Sequence, residues 1–435
     1  CRGKRCIKRL KQTIAPYGIE IVGDATPRAP LSNQVTMGEL LPHKSEKIYT
    51  NIDKTANRRV KVQALVAGGG MAGTSLFRYL AEAGMKPVLV NRERGGSWRN
   101  IAGGRPAFSV PALADIALKN RELFVELQKI GNIDYKPIRY VSFAHDETTY
   151  RALDASRAWS DAYMVERADF RKEISPYFNA NLGTYNAALI TNECWQATPG
   201  RTLDLLRQIG IEKGGQVLED CELVDLFKEG KNIVALVKTH TGEYVEYETE
   251  HFVNALGPES EKFARKLGIE TGLYPVKHQA FITRRLPFLG KDGDTLDMLI
   301  DRRKYKGFSA VYGQQLADTG QIIGCASPAV DPLETDKDVK YNSKEFLEIV
   351  SEIFVDWIPQ LSSVGFQAVW SGYYIEPRYI VDPDLGLMIG LRGHGFMLSQ
   401  YLAKLYVDKL LGRQTPDYFK DLALSGPGLY ESAFK

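Results

Sequence analysis

Gly68-Gly69-Gly70-Met71-Ala72-Gly73 joins an apolar run, Val62 to Ala67, to a helical pattern, Ala72 to Ala83, and its reading decides the fold. Leu76, Leu80 and Ala83 fall on one helical face, Gly84 stops the helix, and Pro87-Val88-Leu89-Val90 follows as a second strand. Glycines at 68, 70 and 73 have the GxGxxG spacing of a strand–turn–helix that binds a dinucleotide. The first permits the tight turn, the second lets the backbone approach a pyrophosphate, and the third lets helix and strand pack closely. Met71 and Ala72 open the helix, so their N–H groups and the positive end of the helix dipole face the phosphates.

Working outward, strand two ends at Asn91, where dinucleotide folds usually place an Asp or Glu to accept from ribose hydroxyls. Asparagine still accepts through its amide oxygen, while the adjacent Arg92 would suit the 2′-phosphate of NADP. The loop that follows contains Ser97-Trp98-Arg99-Asn100-Ile101-Ala102-Gly103-Gly104, more glycine and more donors than a short crossover needs. It suggests a long cofactor wrapped by a second segment. Further on, Val217 to Val253 alternates as short strands, Val217-Leu218, Glu222 to Lys228 and Asn232 to His240 with Tyr244 to Val253 to follow, and ends in Asn254-Ala255-Leu256-Gly257-Pro258, a small-residue turn at a strand's carboxyl end. Ligands collect at such ends, so Ala255 and Gly257 are cofactor candidates.

The remaining chain reads as a helix over 112–130, a mixed α+β stretch over about 135–195, and antiparallel strand pieces from Leu273 to Ser327. An amphipathic helix over 344–358 follows, and Gly393-His394-Gly395-Phe396-Met397 opens a last helix. A length of 435 residues implies roughly two to three domains. A net charge of +3 gives no argument for nucleic acid, and no apolar run is long enough to span a membrane. The N-terminus lacks an apolar signal-peptide core and the five cysteines are scattered, so a cytoplasmic protein with reduced thiols is expected. Residues 1–60 form a basic, Pro-rich extension suited to docking a partner subunit or an electron acceptor. Cys1 and Cys6 are two thiols where a structural metal site uses four ligands, so no metal is expected.

The order of these pieces resembles the FAD-dependent D-amino-acid oxidase (DAO) superfamily, which includes glycine oxidase, sarcosine oxidase and D-amino-acid dehydrogenase. The likeness runs from Val62 to the C-terminus and adds Pro275-Val276-Lys277-His278-Gln279 and Trp370-Ser371-Gly372 to the motifs above. It implies an α/β protein: a Rossmann-type FAD-binding domain from 61–140, 196–270 and 366–435, and a substrate domain from 141–195 and 271–365 on a mixed, largely antiparallel sheet. By matching positions, Gly68, Gly70 and Gly73 would meet the pyrophosphate, Asn91 the ribose and Val224 the adenine. Ser97, Asn100, Gly103 and Gly104 would lie near the phosphates and isoalloxazine, and Gly393 to Met397 along its pyrimidine side. FAD would be non-covalent, since the family's covalent members use a His in the loop after strand two or a Cys in the C-terminal segment. Here that loop has Trp98 and Arg99, and no Cys lies beyond Cys325.

The implied reaction is oxidation of the C–N bond of an amino acid or amine. One departure concerns the anchor: where members acting on amino acids have Arg-Pro after Trp-x-Gly, this chain has Tyr374-Ile375, and the nearest arginine is Arg378. Arg378 with Tyr374 and Tyr305 or Tyr312 is the expected carboxylate anchor, with Arg302 and Arg303 as rivals. Two other functions fit the residues. One is 2-hydroxy-acid oxidation with His278 or His394 as the base; the other is a flavin-binding subunit with little activity of its own.

Overall fold

The computed structural model describes residues 56, 58–92, 96–157, 161–328 and 344–431. The expectations for residues 1–55, including Cys1, Cys6 and the docking arm, lie outside them.

In chain order the elements are β1 (Arg58–Lys61), β2 (Ala64–Ala67), α1 (Met71–Glu82), β3 (Pro87–Asn91), β4 (Gly103–Gly104) and α2 (Pro111–Ile130). Next come β5 (Lys136–Ala144), α3 (Glu147–Ser156), β6 (Ala162–Glu166), α4 (Phe170–Glu173), β7 (Ala187–Gln196) and α5 (Pro199–Glu212). The middle of the chain gives β8 (Gln216–Glu219), β9 (Glu222–Glu229), β10 (Asn232–Lys238), β11 (Tyr244–Thr249), β12 (His251–Asn254) and α6 (Ser260–Lys266). The last third gives β13 (Tyr274–Thr283), β14 (Met298–Asp301), β15 (Phe308–Gln315), β16 (Ile322–Pro328), α7 (Lys344–Trp357), β17 (Phe366–Glu376), β18 (Ile380–Asp382), β19 (Leu387–Ile389) and α8 (Gly395–Leu410).

Three sheets result. The central one has the order β18-β19-β12-β2-β3-β8, parallel except where β18 meets β19. Its inner strands Ala64–Ala67 and Pro87–Asn91 are buried along their whole length, the pattern of a parallel sheet covered on both faces. Helices α1, α2, α5 and α8 cover one face through a shared core that includes Leu76, Leu80, Phe124, Leu206 and Leu402. A four-stranded sheet, β1-β11-β10-β9, covers the other face. Residues 58–60, the end of the basic extension by sequence, thus belong to strand β1, paired in parallel with β11.

The third sheet has nine strands, running β17-β13-β16-β15-β14-β5-β7-β4 with β6 on β7. It is antiparallel except for the β14–β5 pair. Helix α7 packs on it through Phe346, Ile349, Ile353 and Trp357, all buried. The chain is therefore a mixed α/β fold in which a parallel dinucleotide-type sheet and a large mixed sheet share connecting segments. No helix among the described residues is long and apolar enough to cross a membrane.

Candidate active site

The glycine turn is built as its spacing predicts. Gly68 has φ +112° and a Cβ there would lie 2.2 Å from the Ala255 carbonyl oxygen, so only glycine fits. A Cβ on Gly73 would lie 1.9 Å from the Gly68 oxygen, which is how helix and turn pack so closely. Gly70 differs, since its φ of −76° is open to any residue and its nearest neighbour would be the Ser97 Oγ at 3.0 Å. Space on that side is what an approaching pyrophosphate requires. The Met71 N–H donates to Ser97 Oγ at 2.8 Å, which ties the start of α1 to the loop over 97–104. Ala255 N donates to the Ala67 carbonyl, so the turn after β12 sits against the glycine turn, with Gly257 beyond it at φ +57°. Val224 lies in β9, partly buried. Trp98 is 42% exposed.

Residues 97–104 are pinned from the nine-stranded sheet. The Trp370 indole donates to the Arg99 carbonyl at 2.7 Å, the Gln314 amide to the Ile101 carbonyl at 2.7 Å, and Ala197 N to the Ala102 carbonyl at 3.1 Å. Asn100 Oδ1 accepts from Ala102 N at 2.6 Å, and Ala102 takes φ +67°. Gly103 and Gly104 admit no side chain, because Tyr140 and the Trp195 ring stand within 2.3 Å of where a Cβ would be.

This loop forms one wall of a cavity of about 230 Å³. Its opposite wall is the sheet face carrying His278, Met298, Ile300, Arg302, Tyr312, Cys325 and Tyr374, and its floor is Arg392 with Gly393, His394, Phe396 and Met397 at the start of α8. Tyr374 joins these parts. Its hydroxyl is 3.0 Å from that of Tyr312, its ring stacks on His278 with centroids 3.6 Å apart, and its edge fills the space where Gly393 would carry a Cβ. Burial holds both phenols well above the usual tyrosine range, so they are neutral donors. Burial likewise pushes the Cys325 thiol up to about 12.

At the floor, Arg392 stands in the left-handed region at φ +51° and its Nε–H donates to Glu376 at 2.7 Å, both side chains being 5% exposed. Breaking so buried a pair costs about 3–5 kcal/mol. His394 Nδ1 is 2.7 Å from the hydroxyl of Tyr379, a fully buried residue whose phenol burial keeps protonated. The N–H groups at the start of α8 and its dipole favour negative charge on this side of the cavity.

Three of the residues expected to meet the substrate, Arg378, Tyr305 and Arg303, stand elsewhere. Arg378 is not among the cavity-lining residues; its Nη2 donates to the carbonyls of Ala423 at 3.0 Å and Gly426 at 3.1 Å, in the C-terminal segment. The cis Glu376–Pro377 peptide and the turn into β18 separate it from the cavity-lining part of β17. Tyr305 is 42% exposed and lies on a surface bridge with Phe308, and Arg303 is bound to Asp301 at 2.6 Å. Arg302 is the rival that reaches the cavity, from the end of β14, and burial lowers its guanidinium pKa to about 10. Arg105 lines the cavity too and went unnoticed in the sequence; it stacks 4.3 Å over Phe108 and donates to the Ala107 carbonyl.

The donor set and the glycine cradle fit a dinucleotide, and the cavity beside them fits the ring system at its far end. Among the described residues no group of His, Cys, Asp or Glu side chains could hold a metal.

The comparisons with known proteins give relatives that act on different substrates and one shared fold. Over 340 residues the chain is 24% identical to anaerobic glycerol-3-phosphate dehydrogenase subunit A1 of Haloferax volcanii, covering 72% of this chain and 54% of that one. Over 245 residues it is 25% identical to mitochondrial dimethylglycine dehydrogenase of Homo sapiens, covering 51% of this chain and 26% of that one. The chain therefore spans about half or less of the length of these relatives. The solved structure of L-proline dehydrogenase from P. horikoshii superposes with a TM-score of 0.72 at 22% identity, over 84% of this chain and 97% of that one. The family model DAO, FAD dependent oxidoreductase, matches residues 63–409. On that match the chain belongs to the DAO family of FAD-dependent oxidoreductases, and its cofactor is FAD.

Proposed function

We propose that this protein oxidises the C–N bond of an amino acid or other amine that carries an anionic group. The observation that carries the reading is the cavity itself. One wall and the floor come from the segments the family uses around its flavin, while the other wall offers a half-buried arginine, Arg302, and the neutral pair Tyr312 and Tyr374.

FAD, when bound, would supply the electron sink for hydride removal from the carbon next to nitrogen; the amine nitrogen would give up a proton to solvent, and water would hydrolyse the imine product. Arg302 holds the substrate's anion by charge-assisted hydrogen bonds, which are strong where water is excluded. Tyr312 and Tyr374 donate to the same group or to the amine's surroundings, their positions set by each other and by His278. Met298, Ile300 and Ala280 line the cavity with apolar surface, which disfavours a charged ammonium and leaves the nitrogen lone pair available. No side-chain base is then needed. Asn100 and Gly103 shape the opposite wall, and the start of α8 favours the negative charge that reduction brings. In this reading 61–140, 196–270 and 366–435 make the FAD-binding domain, and 141–195 and 271–365 the substrate domain. Attachment is non-covalent in this reading, because residues 97–104 contain no His and no Cys lies beyond Cys325.

A second reading has one observation in its favour: His278 lines the cavity, and an imidazole there could take the proton of a hydroxyl group. Oxidation of a hydroxy acid or hydroxyalkyl phosphate would follow. Anaerobic mixing of the yellow protein with amino acids and secondary amines should bleach its flavin, with hydroxy acids and glycerol phosphate inert. Bleaching by the hydroxy compounds alone would replace the first reading by the second. No bleaching with either set would leave a flavin-binding subunit.

A further inference from the structure

Strand β3 ends in Asn91 where dinucleotide folds usually place a carboxylate, yet the fold brings one to the same spot from the next strand. Asn91 and Glu219 are register partners of the parallel β3–β8 pair, and the Asn91 Nδ2 donates to the Glu219 carboxylate. The reverse orientation of the amide would set oxygen against oxygen. Asn91 is 2% exposed, and its Oδ1 has no hydrogen-bond partner among the described residues. It is aimed at Gly69, since a Cβ there would lie 2.0 Å away. Beneath both, Arg207 of α5 lies 3.3 Å from Glu219 and donates to the Gly69 carbonyl at 2.9 Å, which ties the carboxylate to the glycine turn. These residues line an open cleft of about 450 Å³ at the carboxyl ends of β3 and β8.

We propose that Glu219 and Asn91 together bind the adenosine ribose of FAD, strand β8 supplying the carboxylate that β3 lacks; this rests on the FAD reading above. A vicinal diol presents two O–H donors; the half-exposed Glu219 carboxylate accepts from it beside the turn that meets the pyrophosphate, and buried Asn91, its oxygen packed against Gly69, holds that carboxylate in place through its Nδ2–H. The same charges exclude a 2′-phosphate. Arg92, the residue suited to one, is paired with Glu222 at 3.1 Å and Glu259 at 3.3 Å, and Asp220 adds a further acid to the cleft. The cleft is built for an unphosphorylated ribose.

The test is a cycle of ligand and protein changes read by titration calorimetry on the apoprotein. The wild type should bind FAD at least roughly tenfold tighter than FAD whose adenosine is 2′-deoxy, as loss of a hydrogen bond to a charged acceptor implies. Glu219→Gln should lose a similar factor for FAD and discriminate less between the two flavins, with the apoprotein's melting temperature retained. Equal wild-type affinity for both flavins would overturn the proposal, and that arm needs no variant. So would full discrimination in Glu219→Gln. A wild type that binds neither form nor riboflavin would instead remove the FAD reading and this inference with it.

Discussion

Substituting Gly70 and Gly73 separates binding from folding within one turn. A methyl at Gly73 would stand 1.9 Å from the Gly68 oxygen, an overlap of more than 1 Å against backbone that cannot rotate away. Overpacking of this kind costs about 1–3 kcal/mol, partly offset by about 1 kcal/mol that alanine gains over glycine inside a helix. Gly73→Ala should therefore lower the denaturant midpoint of the apoprotein and, by shifting Gly68, reduce FAD content as well. Gly70 sits at a φ of −76° with only the Ser97 hydroxyl near its added Cβ, at 3.0 Å. The hydroxyl can turn aside at the expense of its bond from Met71 N–H, worth about 0.5–1.5 kcal/mol. Gly70→Val should therefore fold with a midpoint near the wild type's yet purify colourless, because its side chain fills the space the pyrophosphate needs. The assay is a urea titration of each apoprotein beside the flavin-to-protein ratio as purified. Gly70→Val with a full complement of FAD, or Gly73→Ala with wild-type stability and FAD content, would refute this reading of the turn.

Two further outcomes are expected. Arg302→Gln should raise KM for an anionic amine by roughly thirtyfold or more, the equivalent of losing a buried charge-assisted anchor at about 2–5 kcal/mol, with FAD content intact. Arg378→Gln, altered where it caps carbonyls of the C-terminal segment, should leave KM unchanged; the opposite pattern in steady-state kinetics would restore Arg378 as the anchor. Acid precipitation should leave all flavin in the supernatant, and a yellow pellet would contradict non-covalent attachment.

What the sequence determined is what local pattern and short motifs encode. The GxGxxG spacing between an apolar run and an amphipathic helix sufficed for β2, the turn and α1, because a φ above zero and a close approach at fixed positions demand glycine. Periodicity likewise reached α2, α7, α8 and β8 to β10 nearly to their ends, whereas Tyr244 to Val253, one run by sequence, divides into β11 and β12 in two different sheets. The family followed from the order of the motifs, and with it FAD.

The partners in the site were decided only by tertiary structure. Asn91 and Glu219 stand 128 positions apart, and nothing in either neighbourhood says that β3 and β8 lie side by side in that register. Tyr312 and Tyr374 meet across the nine-stranded sheet from 62 positions apart. The choice of arginine shows the limit most clearly. Proximity to the Trp-Ser-Gly motif favoured Arg378, yet the turn after β17 carries it to the C-terminal segment, while Arg302 arrives at the cavity from a strand with no motif of its own. A strand's alternation tells which residues share a face, but the face that meets a cofactor is set by strand order and twist, which arise from pairings distant in the chain.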